Sequence, residues 1–300
     1  MPRQPASAPD ARPTFVLGMG AQKAGTTWLG RYLGASPEFR RGFRKEYHVL
    51  DAHHLASERW LRDHLVAGAR TSLDEVEEGA PGPRAGRLLL RAAMVADLRI
   101  YFDHFASLVD RDDRVRATGD LSPEHALLHT DHLVGVRDGF AERGLRTAAI
   151  FLMRDPVDRV WSQIRMRAAY TQHGSGGSSI DELRSDHAVE RFAARTRYHE
   201  TLRRMGEAFP VDDVFVGLFE TMIADPDVAA SVSELVGITR RVPRALSRPS
   251  NTSPRDVATV PDDVARIVAR HYAETYREVD RLRPDLEVAR HWPHARWVLG

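Results

Sequence analysis

Cysteine is absent from the 300 residues. That excludes a disulfide framework, a thiolate nucleophile and a zinc site built on sulfur. Lysine is nearly absent: Lys23 and Lys45 are the only two among 43 basic residues, and the rest are Arg. A chain that uses Arg wherever a cation will serve keeps its lysines for positions that need a compact, flexible ammonium rather than a planar fork. Charge of one sign is missing too. The 43 basic residues face 42 acidic ones, and the net charge of +1 gives no general pull toward nucleic acid or an anionic membrane. No apolar run nears the roughly 18–20 residues that span a bilayer. The Pro- and Ala-rich start, Met1 to Pro13, lacks the apolar stretch of a secretory signal. With 42% apolar and 28% charged residues, the composition is that of a globular chain. The expectation is a soluble, cytoplasmic protein.

Residues 1–12 read as a flexible arm and residues 13–300 as one α/β domain, with no internal repeat. Strand-type runs are expected at Thr14–Met19, Val115–Thr118, Thr147–Met153 and Val214–Leu218. Helical patterns separate them at about Thr26–Leu33, Ser57–Ala67, Arg91–Leu108, Asp131–Glu142, Asp158–Ala169, Asp181–Ala208, Asp227–Val236 and Pro261–Leu282. Strands alternating with helices predict a three-layer fold, a central parallel sheet with helices on both faces. Glu75–Arg87 reads as an exposed loop, His173–Ser179 as a flexible loop or lid, and Ser247–Thr259 has no period.

Two motifs carry chemistry. Gly18–Trp28 reads GMGAQKAGTTW between a strand and a helix. Backbone N–H groups of such a turn and of the helix start form an anion cradle. Gly20 and Gly25 are spaced as in a Walker A loop, but Thr26 stands where that loop has its lysine. Lys23 precedes Gly25 by two, so ordinary nucleoside-triphosphate geometry is not reproduced. The plainer reading is a Gly-containing turn with a surface lysine. The second motif is Arg154-Asp155-Pro156-Val157-Asp158-Arg159-Val160-Trp161-Ser162, directly after a buried-strand run. Open α/β sheets place ligands at strand carboxyl ends, and Arg suits multi-donor recognition of phosphate. Ser162, within two helical turns, could approach the same anion; the plainer reading is an Arg–Asp surface pair.

Together the motifs resemble those of sulfotransferases that use 3′-phosphoadenosine 5′-phosphosulfate (PAPS). Gln22-Lys23-Ala24-Gly25-Thr26-Thr27-Trp28 is similar to the loop around the 5′-phosphosulfate. In the second motif, Arg154 and Ser162 match the residues that hold the 3′-phosphate. Arg44-Lys45-Glu46-Tyr47-His48 resembles the Lys-Glu segment of the carbohydrate-type branch, whose glutamate is the catalytic base. Gly119-Asp120-Leu121-Ser122-Pro123 is similar to an acidic-x-Ser/Thr-Pro segment there, although His125 stands where that branch often has Tyr. Phe219-Glu220 to Pro226 resembles a late structural helix start. The resemblance runs over roughly residues 14–280. It implies a parallel sheet with a P-loop-like phosphate-binding core.

It further implies sulfuryl transfer from PAPS to a hydroxyl, leaving adenosine 3′,5′-bisphosphate (PAP), by in-line displacement analogous to phosphoryl transfer. Lys23 and the N–H groups of Gly25, Thr26 and Thr27 would stabilise the leaving oxygen. Glu46 is the favoured base, although an ordinary carboxyl value of about 4.3 would need raising. His48 is the alternative and would be suitably basic unaltered. In an extended segment both share one face, and Lys45 points away unless the loop turns. Arg255, ahead of Arg248 and Asn251, is the late-loop candidate over the nucleotide. Trp28 either stacks on adenine or packs in the core. No metal is implied, and no helical His-x₃-His pair suggests zinc. The expected partner is a small-molecule or carbohydrate acceptor, with no nucleic acid and no membrane, and a homodimer stays open. Two other readings stay open as well. One is an ATP-dependent P-loop kinase with Asp155 imitating a Walker B aspartate. The other is a non-catalytic nucleotide-binding module.

Overall fold

A computed structural model describes residues 12–77, 82–170, 179–239 and 259–300. Arg248, Asn251, Arg255, all but Ser179 of the predicted lid and nearly all of the amino-terminal arm lie outside the described residues.

The chain runs β1 (Thr14–Gly18), α1 (Thr26–Leu33), β2 (Phe39–Arg41), α2 (Leu50–His54), α3 (Arg59–Glu77), α4 (Pro83–Ala96), α5 (Leu98–Asp110) and β3 (Ala117–Asp120). It continues with α6 (Thr130–Ala141), β4 (Arg146–Met153), α7 (Pro156–Tyr170), α8 (Ser179–Asp186), α9 (Glu190–Ala193), α10 (Tyr198–Ala208) and β5 (Val214–Leu218). Last come α11 (Phe219–Ala224), α12 (Pro226–Val236), α13 (Asp262–His271), α14 (Ala273–Leu282) and α15 (Val288–His291).

The five strands form one parallel sheet in the order β2-β3-β1-β4-β5. Helices cover both faces, as the alternating pattern predicts. On one face Phe15 of β1 stacks on Phe140 of α6 at 3.7 Å and meets Phe105 of α5 edge-on at 5.0 Å. Elsewhere α12 packs against β1 and β5, and its Ser233 hydroxyl lies 2.8 Å from the Tyr32 hydroxyl of α1. Strands β1 and β4 are almost wholly buried, which is why both read as continuous apolar runs rather than alternating ones. Because every strand is parallel, all five carboxyl ends meet at one edge. The chain reverses direction across the sheet on either side of β1, and such a switch point opens a crevice there. Among the described residues no helix is long and apolar enough to cross a membrane.

Several elements differ from expectation. The strand expected at Val115–Thr118 lies at Ala117–Asp120. Edge strand β2 is three residues long with two exposed arginines, so it carries no strand signal. The helix expected from Ser57 to Ala67 runs on to Glu77, and α4 starts at Pro83, so the expected Glu75–Arg87 loop is largely helical. The single helix expected at Arg91–Leu108 is broken at Asp97, which is extended and caps α5 by accepting from Arg99 N–H at 2.9 Å. The long helix expected at Asp181–Ala208 is three helices. His187 Nδ1 lies 3.1 Å from the carbonyls of Leu183 and Arg184, and Thr196 Oγ1 donates to Phe192 O at 2.6 Å. Such side chains compete with the helical ladder for its acceptors. Tyr272 likewise separates α13 from α14 and reaches His187 O with its hydroxyl.

Candidate active site

The loop after β1 continues alongside β4: Ala21 N–H donates to Leu152 O at 2.6 Å and Leu152 N–H to Gly20 O at 2.9 Å. Lys23 adopts φ 69°, in the left-handed region that a lysine rarely enters. Gly25 follows at φ 93° and caps α1 without any side-chain hydrogen bond. A Cβ on Gly25 would lie 2.6 Å from the Phe219 ring, so both backbone angle and space require glycine. Lys23 Nζ reaches Met166 Sδ at 3.5 Å. Burial lowers its pKa, and repulsion from Arg154, Arg165 and Lys45 lowers it further. An anion in the cleft would relieve both effects.

Arg154 leaves the end of β4 with its guanidinium carbon 4.9 Å from the Phe219 ring centroid. Its polar contacts are long: 3.5 Å from Nη1 to Lys23 O and 3.9 Å from Nη2 to Asp158. Its Nε is buried with no hydrogen-bond partner among the described residues. This cation is held in place by stacking and is poorly satisfied by acceptors. Asp155 is the opposite case. Its carboxylate accepts from Val157 N–H at 2.9 Å, the Tyr276 hydroxyl at 2.8 Å and His294 N–H at 2.9 Å. It is fully buried, does not line the cleft and caps the start of α7.

The segment after β2 is fastened from beneath. Asp120 Oδ1 accepts from the Ser122 hydroxyl at 2.7 Å and Tyr47 N–H at 3.3 Å, and Ser122 Oγ accepts from His48 N–H at 3.3 Å. Arg91 donates twice to Tyr47 O, at 2.9 and 2.6 Å. His125, completely buried, places Nδ1 3.1 Å from Gly18 O. The acidic-x-Ser-Pro segment is thus scaffolding that ties the Glu46 loop to the end of β1.

The loop turns rather than running extended. His48 has φ 53°, and Lys45 swings onto the Glu46 side, with Nζ 2.5 Å from Glu46 Oε1. His48 Nε2 lies 3.6 Å from Glu46 Oε2, and Nδ1 lies 2.8 Å from Asp51 Oδ2 and 3.6 Å from Glu124 Oε2. Burial would raise Glu46, but hydrogen bonds and charge from His48 and Lys45 prevail and hold it at about 2. Burial would lower His48, but its bonds to Asp51 and Glu46 prevail and raise it to about 10. His48 is therefore an imidazolium at neutral pH here, with no lone pair to offer, which differs from the ordinary basicity expected from its type. Glu124 is only 6% exposed, and burial raises its pKa. Oxygen and nitrogen atoms of His48, Asp51 and Glu124 lie within 4.8 Å of one another, close enough to consider a cation. With His48 Nδ1 engaged by Asp51, the cluster is an ion-paired network.

These three segments wall one cleft of about 360 Å³. Of the residues singled out in the sequence, Gln22, Lys23, Gly25, Thr26, Thr27, Trp28, Glu46, His48, Arg154 and Ser162 line it. Ala24 does not; it is buried in the core. Trp28 does both, stacking on Tyr32 at 5.2 Å while bordering the cleft. Both lysines of the chain meet there. Glu124 and Met166 also line it and were not singled out, and Phe219, expected only as part of a late structural helix start, lines it as well. Glu124 was legible as an acid directly after Ser122-Pro123, whereas Phe219 and Met166 carry no sequence signal for a cleft.

Residues 13–240 match the model of the sulfotransferase family. Among solved structures, a sulfotransferase from Alicyclobacillus acidocaldarius aligns with TM-score 0.58 at 18% identity, covering 91% of this chain and 96% of its own. The sulfotransferase domain of the Synechococcus PCC 7002 olefin synthase aligns with TM-score 0.52 at 17% identity, covering 93% and 98%. At these identities the likeness speaks to the fold. No curated protein matches the sequence.

Proposed function

This chain belongs to the sulfotransferase family, and from that premise we propose that it moves a sulfuryl group from PAPS to a hydroxyl acceptor. The observation that carries the reading is the meeting of Lys23 and Arg154, 131 positions apart, on one cation-rich cleft at the strand ends. In this reading the 5′-phosphosulfate lies against Lys23 and the open first turn of α1. The 3′-phosphate lies against Arg154 and Ser162. The acceptor oxygen bonds to sulfur as the bond from sulfur to the 5′-phosphate oxygen breaks, and PAP leaves with the charge. Lys23, crowded by like charge, gains most when that oxygen becomes fully anionic; one such preorganised donor is worth about 3–4 kcal/mol in the transition state.

The acceptor proton passes to Glu46 in this reading. Glu46 is a weak base while Lys45 and His48 both hold it. An anionic donor competes for Lys45, and the loss of that partner raises the carboxylate's basicity. The test is thermal stabilisation by PAP against ATP with Mg²⁺, followed by transfer of label from PAPS. Preferential stabilisation by PAP is expected. Preferential stabilisation by ATP with Mg²⁺ would favour a kinase and end this reading.

A further inference from the structure

Sulfur in this chain is confined to seven methionines, since cysteine is absent. Most of the described ones serve the core. Met19, Met94 and Met153 are completely buried, and Met205 and Met222 are nearly so. Met166 is the exception among the described residues. It is only half-buried, and it lines the donor cleft. A peroxide that enters the cleft therefore meets one thioether, whereas packing shields the others.

Helix geometry puts that thioether where it matters. Met166 follows Ser162 by four residues on α7, so the two share one face of the helix, and both border the cleft. From there Met166 Sδ lies 3.5 Å from Lys23 Nζ, across 143 positions of sequence. Met166 thus touches the residue assigned to the 5′-phosphosulfate and stands one turn from the one assigned to the 3′-phosphate. A thioether is a weak acceptor, so it meets the ammonium without neutralising it. A strong acceptor at the same point would hold Lys23 back from an anion.

We propose that Met166 is a reversible oxidative modification site, at which conversion of the thioether to the sulfoxide by a peroxide ties up Lys23 and shuts the nucleotide out of the cleft. The sulfur lone pair attacks one oxygen of hydrogen peroxide. The S–O bond forms as the O–O bond breaks, the second oxygen leaves as water with both protons, and sulfur gives up two electrons. The product is polar and chiral where the parent was apolar. Its oxygen is a strong acceptor one bond beyond the sulfur, so it reaches the same ammonium, and its partial negative charge opposes the phosphates. The oxidation itself depends only on the exposure of the sulfur. Its effect on nucleotide binding rests on the donor reading above.

The experiment treats the full chain with hydrogen peroxide, maps sulfoxide by peptide mass spectrometry and measures PAP affinity by calorimetry. Met166 should gain one oxygen well before Met19, Met94, Met153, Met205 and Met222, and saturating PAP should slow that gain. Loss of a charge-assisted hydrogen bond to the nucleotide should weaken PAP binding at least about tenfold. The melting temperature without PAP should hardly move, which shows that the oxidised chain stays folded. Methionine sulfoxide reductases A and B, with dithiothreitol, should restore the affinity. With no cysteine in the chain, that recovery cannot come from a thiol. Met166→Leu should show the same PAP affinity before and after peroxide. Oxidation of the core methionines as fast as Met166 would overturn the proposal. So would a Met166 sulfoxide that binds PAP within twofold of the untreated chain, or a Met166→Leu variant that loses affinity on treatment as the parent does. If PAP fails to bind the untreated parent, the donor reading has failed instead, and the inferred effect on binding falls with it.

Discussion

Lys45 Nζ sits 2.5 Å from Glu46 Oε1, so the chain's second lysine neutralises the carboxylate assigned to proton transfer. Glu46, held at about 2, is ionised at neutral pH in the ligand-free protein. The acid limb of the kcat/KM profile, which reports the free enzyme, should therefore not follow Glu46. Glu46→Gln is expected to lower kcat about 10²–10⁴-fold, while stabilisation by PAP persists. Full activity in Glu46→Gln would move the proton to another group, and buried Glu124 would be examined next.

Lys23→Ala should separate chemistry from binding. The ammonium acts mainly on charge that develops at the leaving oxygen, so kcat should fall about 10²–10³-fold. The dissociation constant for PAP, measured by calorimetry, should change far less. An equal loss in both would make Lys23 a binding residue only.

Arg154→Ala removes a guanidinium assigned to the 3′-phosphate. A hydrogen bond to a charged group contributes about 1.5–3 kcal/mol, so PAP affinity should drop roughly 10- to 150-fold. Affinity for AMP, which lacks that phosphate, should hardly move. A parallel loss for AMP would place Arg154 elsewhere on the nucleotide.

The His48 cluster gives stability a pH signature. The folded value is raised to about 10 from an ordinary value of 6.5. Its contribution is therefore fully present below about pH 6.5 and is lost as pH rises through about 10. Asn tolerates the left-handed backbone at this position. His48→Asn should thus lower the melting temperature clearly at pH 6 and much less at pH 10.5. A deficit of equal size at both values would show that packing, and not charge, is what the imidazole supplies.

Gly25→Ala combines a positive φ with a Cβ 2.6 Å from the Phe219 ring. The backbone alone costs about 1–2 kcal/mol. Displacing Phe219 also disturbs the stack under Arg154. The variant should melt lower and lose most of its stabilisation by PAP. Unchanged PAP binding would show that Arg154 does not depend on that ring.

Residues adjacent in the chain could be read without coordinates. Backbone angles and hydrogen bonds over a few positions are local, so the Lys23–Thr27 turn, the apolar runs of β1 and β4 and the placing of Arg154 at a strand end were legible as patterns. Parallel pairing followed from the alternation of strands and helices, because a crossover needs a helix-length connection. What tertiary structure decided is which distant groups share one dielectric and one field. Asp120 and Ser122 bend the Glu46 loop until Lys45, His48 and Glu124 converge, and that convergence moved the expected basicities of Glu46 and His48 in opposite directions. Asp155 was an exposed candidate in sequence and became a buried cap because Tyr276 and His294 arrive from more than a hundred residues later. Charge and burial depend on neighbours in space, and a linear pattern holds no distance between them.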